Sequence, residues 1–214
     1  MDTELQLAGG YIETFAGNGK ARSTGDGKRA VKAGIPLPHH VALDKEEKWL
    51  YFAESGSDRI RRVNIAEGTL HNFAGIGETC YSGDEGPCGE AGLYLPLDVA
   101  FDSQNNLFIC DSGSNRIRKV DRETGIITTV VGTGQHGFNG DGPALEVNLT
   151  WPAAIAFDLR GNADMVPIDI EIRDLPLVEL PLALGRAGVR VVIRKDLNTG
   201  DEVVHGIRMG DALQ

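Results

Sequence analysis

Residues 138–147 read FNGDGPALEV and set Asp141 between two glycines, with a proline just behind. A carboxylate in that setting suits a metal ligand, a catalytic acid or the hinge of a loop. Asp26, in TGDGKRAVKAGI (24–35), also lies between two glycines, and Asp84, in SGDEGPCGEAGL (82–93), lies between Gly83 and Glu85 with Gly86-Pro87 behind. A calcium loop needs several oxygen ligands at close spacing, whereas each stretch offers one Asp, with Glu85 added in the second. Adjacent His39 and His40 are the other candidate ligands. Zinc takes three or four protein ligands, and neighbours on a strand point to opposite faces, so this pair does not easily share one ion. The matching positions further along are Leu97, Asp98, Ala153 and Ala154. That leaves His39, His40 and Asp98 as the candidate metal set, with zinc or calcium as the alternative to no cofactor at all.

Four arginines could contact a carboxylate or phosphate ligand: Arg59 and Arg61 in RIRRV, Arg116 and Arg118 in RIRKV. The competing reading is a solvated outer strand, with Glu54 and Asp111 as acidic cross-strand partners. Ser55-Gly-Ser57 and Ser112-Gly-Ser114 lie outside the G-x-S-x-G pattern of a nucleophile and read as turns. Cys80 and Cys88 bracket YSGDEGP. A disulfide there would close a short ring and contribute somewhat under ~3 kcal/mol; two free thiols in a reducing compartment are the alternative. Cys110 reads as a small buried filler.

The elements that position these groups are repeated. Asp26, Asp84 and Asp141 stand 58 and then 57 residues apart. A site for one substrate is built once, whereas a feature recurring at a fixed period belongs to the architecture. The rest of the chain keeps the same phase. PHHVALD (38–44) returns as PLDVAFD (96–102) and PAAIAFD (152–158). YFAESGSDRIRRV (51–63) returns as FICDSGSNRIRKV (108–120), and HNFAGIG (71–77) as TVVGTG (129–134), with ETFAGNG (13–19) an earlier copy. Each period opens with a compact apolar run, the mark of a strand buried on both faces. An Asp turn, an aromatic and aliphatic strand, a tight SGS turn and two further strands follow. Ile60 and Val63 break strict alternation, so a bulge or strand end is expected there. Each period is thus four antiparallel strands and a long Gly-Asp-Gly connection, where glycine permits positive φ. Such units pack face to face around an axis.

The P-x-x-[VI]-A-x-D, LYFAESGSDRIRRV and FICDSGSNRIRKV stretches resemble the NHL repeat, in the variant with a long inter-blade loop, over residues 10–162. The resemblance implies an all-β fold, a β-propeller that is commonly six-bladed. It also implies a broad functional range: protein- and RNA-binding modules, sensor domains and some metal-dependent lyases, with lactone hydrolases on related propellers. Two full blades are legible, with a closing strand at 11–17 and an innermost strand at 152–158. A closed ring needs roughly four to eight blades. The sequence therefore reads as a partial propeller that self-associates, meets a protein partner, or is a piece of something larger. The enzyme reading needs polar side chains converging from several blades, and its shortage of contributors favours a binding or scaffolding module.

Formal net charge is −10. That opposes general nucleic-acid binding, which relies on clustered Lys and Arg, and docking on anionic membranes. No apolar run approaches a membrane span, and MDTELQLAGGY lacks the form of a secretory signal, so the default expectation is a soluble cytoplasmic protein. From Ala163 onward no repeat residue is found. Residues 163–214 read as a separate β-rich tail: IDIEIRD (168–174) alternates strictly, and VRVVIRK (189–195) pairs as a hairpin with EVVHGIRM (202–209). Packing of the tail on the exposed side of the last blade would cover it.

Overall fold

The computed structural model describes residues 13–157 together with 166–168, 189–195 and 202–208. The first blade comprises β1 (Lys28–Arg29), β2 (Pro38–Leu43), β3 (Trp49–Glu54), β4 (Arg59–Asn64) and β5 (Thr69–Ala74), in spatial order β1-β5-β4-β3-β2. The second repeats it with β6 (Gly86–Pro87), β7 (Pro96–Phe101), β8 (Leu107–Asp111), β9 (Arg116–Val120) and β10 (Ile126–Val131), in order β6-β10-β9-β8-β7. Consecutive strands joined by short turns pair antiparallel, as the sequence repeat predicts.

The fifth strand was not foreseen. Lys28 and Arg29 pair with Leu70 and Thr69, and Gly86 and Pro87 pair with Ile127 and Ile126. The first two Gly-Asp-Gly connections therefore each add an outer strand to the blade that follows, before the chain turns inward. This covers an edge that would otherwise present unpaired N–H and C=O groups. The connections also fill the space between blades. Cys88, Ala91 and Leu93 of the second one join Tyr51, Ala53 and Ile60 of the first blade and Val99, Ile109 and Val120 of the second in one buried cluster. Val147 and Leu149 of the third connection similarly pack on Phe108, Ile117 and Val131.

The bulge expected near Ile60 and Val63 is present in the β4–β5 pairing, between Ile60 and Arg61, while two other expectations need correction. β4 itself is uninterrupted; Ile60 belongs to the cluster between the blades and Val63 to a second one, with Phe52 and Leu70, on the opposite face. Residues three apart on a strand face opposite ways, and the irregularity lies in β5, where Ile60 opposes Ala74 and Arg61 opposes Asn72, leaving Phe73 extra. Residues 13–17 form no strand among the described residues; Gly17 N–H instead donates to the Ala30 carbonyl. The innermost strand of the first blade is also not squeezed on both sides. Val41 is 62% exposed, whereas its counterpart Val99 is 3% exposed against the preceding blade.

The innermost strand expected at 152–158 is β11 (Ala154–Ala156), which pairs with β12 (Val166–Ile168). The hairpin expected in the tail is β13 (Val189–Lys195) on β14 (Glu202–Arg208). Of the strand expected at 168–174, residues beyond Ile168 lie outside the described residues, as does the boundary at 162.

Candidate functional site

Of the arginines of the two R-I-R stretches, Arg61 and Arg118 are buried and Arg59 and Arg116 half-buried, and all four are bound within the protein. Arg61 is 1% and Arg118 0% exposed. Arg61 Nη1 pairs with Glu54 at 3.2 Å and donates to Ser23 Oγ at 2.8 Å. Arg118 Nη2 pairs with Asp84 at 2.6 Å and donates to the Ser82 carbonyl, while Nη1 stands 3.5 Å from Asp111. Each thus fastens the connection ahead of its own blade. Arg59 and Arg116 fasten the connection that follows: Arg59 donates to the Ile76 carbonyl at 2.7 Å and Arg116 to the Thr133 carbonyl at 2.6 Å. Gly77 and Gly134 make room for them, since a Cβ there would stand 2.1 and 2.0 Å from the respective guanidinium groups. The expected partnership with Glu54 and Asp111 is present, but inside the protein. Burial raises the Asp111 carboxyl to about 6, against the lowering effect of the Tyr94 N–H and Arg118.

The glycine-flanked aspartates act at these same fastenings. Asp26 accepts the Asn72 N–H at 2.6 Å. Asp84 accepts from Arg118 and from the Tyr81 hydroxyl at 2.7 Å. Burial pulls the Asp84 carboxyl up, but the Tyr81 and Thr129 hydroxyls and Arg118 outweigh it and hold it below the usual range. Asp141 is exposed; Asn139 organises its loop by accepting the Asn148 N–H at 2.7 Å and donating to the Glu146 carbonyl at 2.8 Å. Asp26 thus reaches β5 and Asp84 reaches β9 of the following blade.

At the inner edge the candidate metal set divides. His40 Nδ1 lies 3.5 Å from Asp98 Oδ1, the same position in successive blades. His39 turns the other way, with Nε2 2.9 Å from Ser55 Oγ. Burial and the neighbouring His40 lower its pKa. Asp98 accepts the Val99 N–H at 2.8 Å and the Ile155 N–H at 2.7 Å, tying β7 to β11. Burial raises its carboxyl, while Ile155 and His40 oppose the rise. Among the described residues no three His, Cys, Asp or Glu side chains gather to hold a metal ion. Cys80 and Cys88 are free thiols rather than a closed ring; Cys88 is buried, its Sγ 3.4 Å from the Phe73 carbonyl that accepts from it. Cys110 is buried, as a filler should be.

A cleft of about 380 Å³ opens between the blades on the face where the β2–β3 and β9–β10 turns meet. The sequence reading did not find it, because its residues come from different repeats. Trp49, Tyr51, Arg62 and Phe73 come from the first blade, Phe101 and Leu107 from the second. Tyr51 meets Phe73 and Phe101 edge-on, with centroids 4.9 and 5.1 Å apart. Arg62 stacks over Trp49 at 4.2 Å. Glu46 and Arg122 bridge the blades at the rim at 2.6 Å. Burial raises the Tyr51 phenol, although Arg62 acts against it.

Comparison with known proteins agrees with this architecture. The family model described as the Teneurin NHL domain matches residues 39–172, running past residue 162, the last of the recognisable repeat. The chloroplastic protein Suppressor of quenching 1 of Arabidopsis thaliana is 30% identical over 166 residues, covering 74% of this chain and 16% of that protein. Teneurin-m of Drosophila melanogaster is 33% identical over 147 residues, 60% of this chain and 5% of its own length. The chain thus spans a small part of both. An auxiliary nutrient binding protein from Bacteroides ovatus aligns at 21% identity and a TM-score of 0.47, over 61% of this chain and 34% of that one. No helix among the described residues is long and apolar enough to cross a membrane.

Proposed function

The chain belongs to the Teneurin NHL domain family, and from that premise we propose that it is a non-catalytic binding module presenting its loop-rich faces to a protein or small ligand. The observation that carries this reading is the commitment of its reactive groups. Glu54, Arg61, Asp84, Asp111 and Arg118 hold connections between blades. Ser112 Oγ donates to the Pro152 carbonyl at 2.5 Å, and Ser55 Oγ to that of Leu37. Groups so engaged fix shape rather than turn over substrate. The exposed face with Leu37, Val41 and Leu43 supports association with a partner or a second copy that supplies further blades. A propeller enzyme, metal-assisted lyase or lactone hydrolase, is the second reading, favoured by the approach of His40 to Asp98. A panel of lactones and lyase substrates, assayed with zinc and with calcium, separates the two. The binding module gives no turnover; turnover that disappears with Asp98→Asn overturns it.

A further inference from the structure

Several residues that line the cleft are not copied from one complete blade to the other. Glu54 is matched by Asp111, Asp58 by Asn115, Arg59 by Arg116 and Arg61 by Arg118. These pairs keep their polar character, and they serve the repeated architecture. Trp49 and Phe73 are matched instead by Asn106 and Val130, and Arg62 by Lys119, which keeps the charge and lacks the planar guanidinium. All three line the cleft. Part of the cluster is copied, since Phe108 meets Phe157 edge-on and Lys119 stands over Phe108; by the logic that assigns copied features to the scaffold, the uncopied Trp49, Phe73 and guanidinium of Arg62 are the place to look for a ligand.

The charges around the cleft are unequally satisfied. Asp44 accepts the Lys48 and Trp49 N–H groups at 2.8 and 2.9 Å. Asp121 accepts from the N–H groups of Glu123 and Thr124. Glu46 accepts from Asn105 as well as Arg122. Arg62 is different. Its Nη1 donates to the Tyr51 hydroxyl at 3.2 Å, its face rests on Trp49, and it forms no ion pair among the described residues. The carboxylates have their donors, and the guanidinium lacks an anion.

We infer that the cleft binds a small amphiphilic carboxylate, its aromatic or branched apolar body against Phe73, Phe101 and Leu107 and its carboxylate on Arg62; this rests on the binding-module reading. A guanidinium matches a carboxylate with two parallel N–H···O bonds. The volume suits such a ligand, at the small end of ordinary ligand pockets. The same chemistry could be offered by a free acid or by the C-terminus of a peptide ending in an apolar residue.

The test uses the full chain with Trp151→Phe, which leaves Trp49 as the sole tryptophan of the two in the sequence. Phenylacetate and uncharged phenylacetamide are titrated while Trp49 fluorescence is followed. Phenylacetate is expected to bind at least about tenfold more tightly than the amide, the scale of one charge-assisted hydrogen bond. Arg62→Met should erase the preference, and Arg62→Lys, which keeps the charge and loses the fork, should retain part of it. Thermal unfolding of both variants shows whether they are folded. Displacement of phenylacetate by an N-acetylated tripeptide ending in phenylalanine assigns the peptide source, and failure to displace assigns the free acid. Equal affinity for acid and amide, no response to either, or a preference surviving in folded Arg62→Met overturns the inference. Those results leave the non-catalytic reading standing, since that falls only to Asp98-dependent turnover.

Discussion

Asp58 of the first blade accepts the backbone N–H of Leu95 at 2.7 Å, across the boundary to the second. Asn115 accepts that of Trp151 at 3.0 Å in the next copy. Leu95 and Trp151 share a left-handed backbone, φ 47° at each, and Leu37 has φ 45°. All three directly precede a proline, which opens β2 and β7 and stands two residues ahead of β11, and large residues adopt this conformation only under constraint. Asp58→Ala should therefore cost about 1–3 kcal/mol by leaving a poorly solvated N–H unpaired. Asp58→Asn should be close to neutral, because Asn115 already does the same work. Urea denaturation of the two variants checks the contrast.

Gly134 lies under the Arg116 guanidinium with φ 88°. Gly134→Ala meets both a backbone penalty of about 1–2 kcal/mol and a collision. Adding Arg116→Ala should recover the collision's share and leave the backbone share. A double-mutant cycle that shows simple additivity would contradict the stacking.

Arg118→Met should be far more harmful than Arg116→Met. Removing Arg118 strands the buried Asp111 and releases Asp84, a loss of about 3–5 kcal/mol by analogy with broken buried pairs. Arg116, half-buried and bound to backbone carbonyls, should cost about 1 kcal/mol. Asp111→Asn in the Arg118→Met background should restore part of the loss. Thermal melts would order the three variants.

Much of this was legible in the sequence, and the reasons for the rest are local. The apolar runs of HVALD and DVAFD, the SGS turns and the paired RIRRV and RIRKV stretches announce the repeat, because strand burial leaves its pattern in adjacent residues. The depth of Arg61 and Arg118 leaves no such pattern. Their anions, Glu54, Asp84 and Asp111, lie in other segments, and only the folded sheet shows that a charged strand has a covered face. Lys28–Arg29 and Gly86–Pro87 are too short to carry alternation, so the fifth strand had no signature. Arg62, Trp49 and Phe101 line one cleft across a blade boundary that the repeat itself disguises.

Asp111 gives the protein a distinctive pH response. Its carboxyl titrates at about 6 in the folded state, against an ordinary 3.8. The folded state therefore holds this proton more tightly than the unfolded one, so stability falls as pH rises from about 4 to 6. The full effect is on the order of 3 kcal/mol. Asp111→Asn should flatten that limb, which denaturation midpoints taken at half-unit pH steps would reveal. Asp84, held below its usual range, works in the opposite sense, its contribution being lost as pH falls through its own depressed value.

Because the two-residue strands β1 and β6 precede the blades they complete, the unit of sequence duplication is offset from the unit of folding. Anyone grafting one module of this protein into another scaffold must cut upstream of the glycine–aspartate turn. A cut at the proline would deliver a sheet with its rim left behind on the donor.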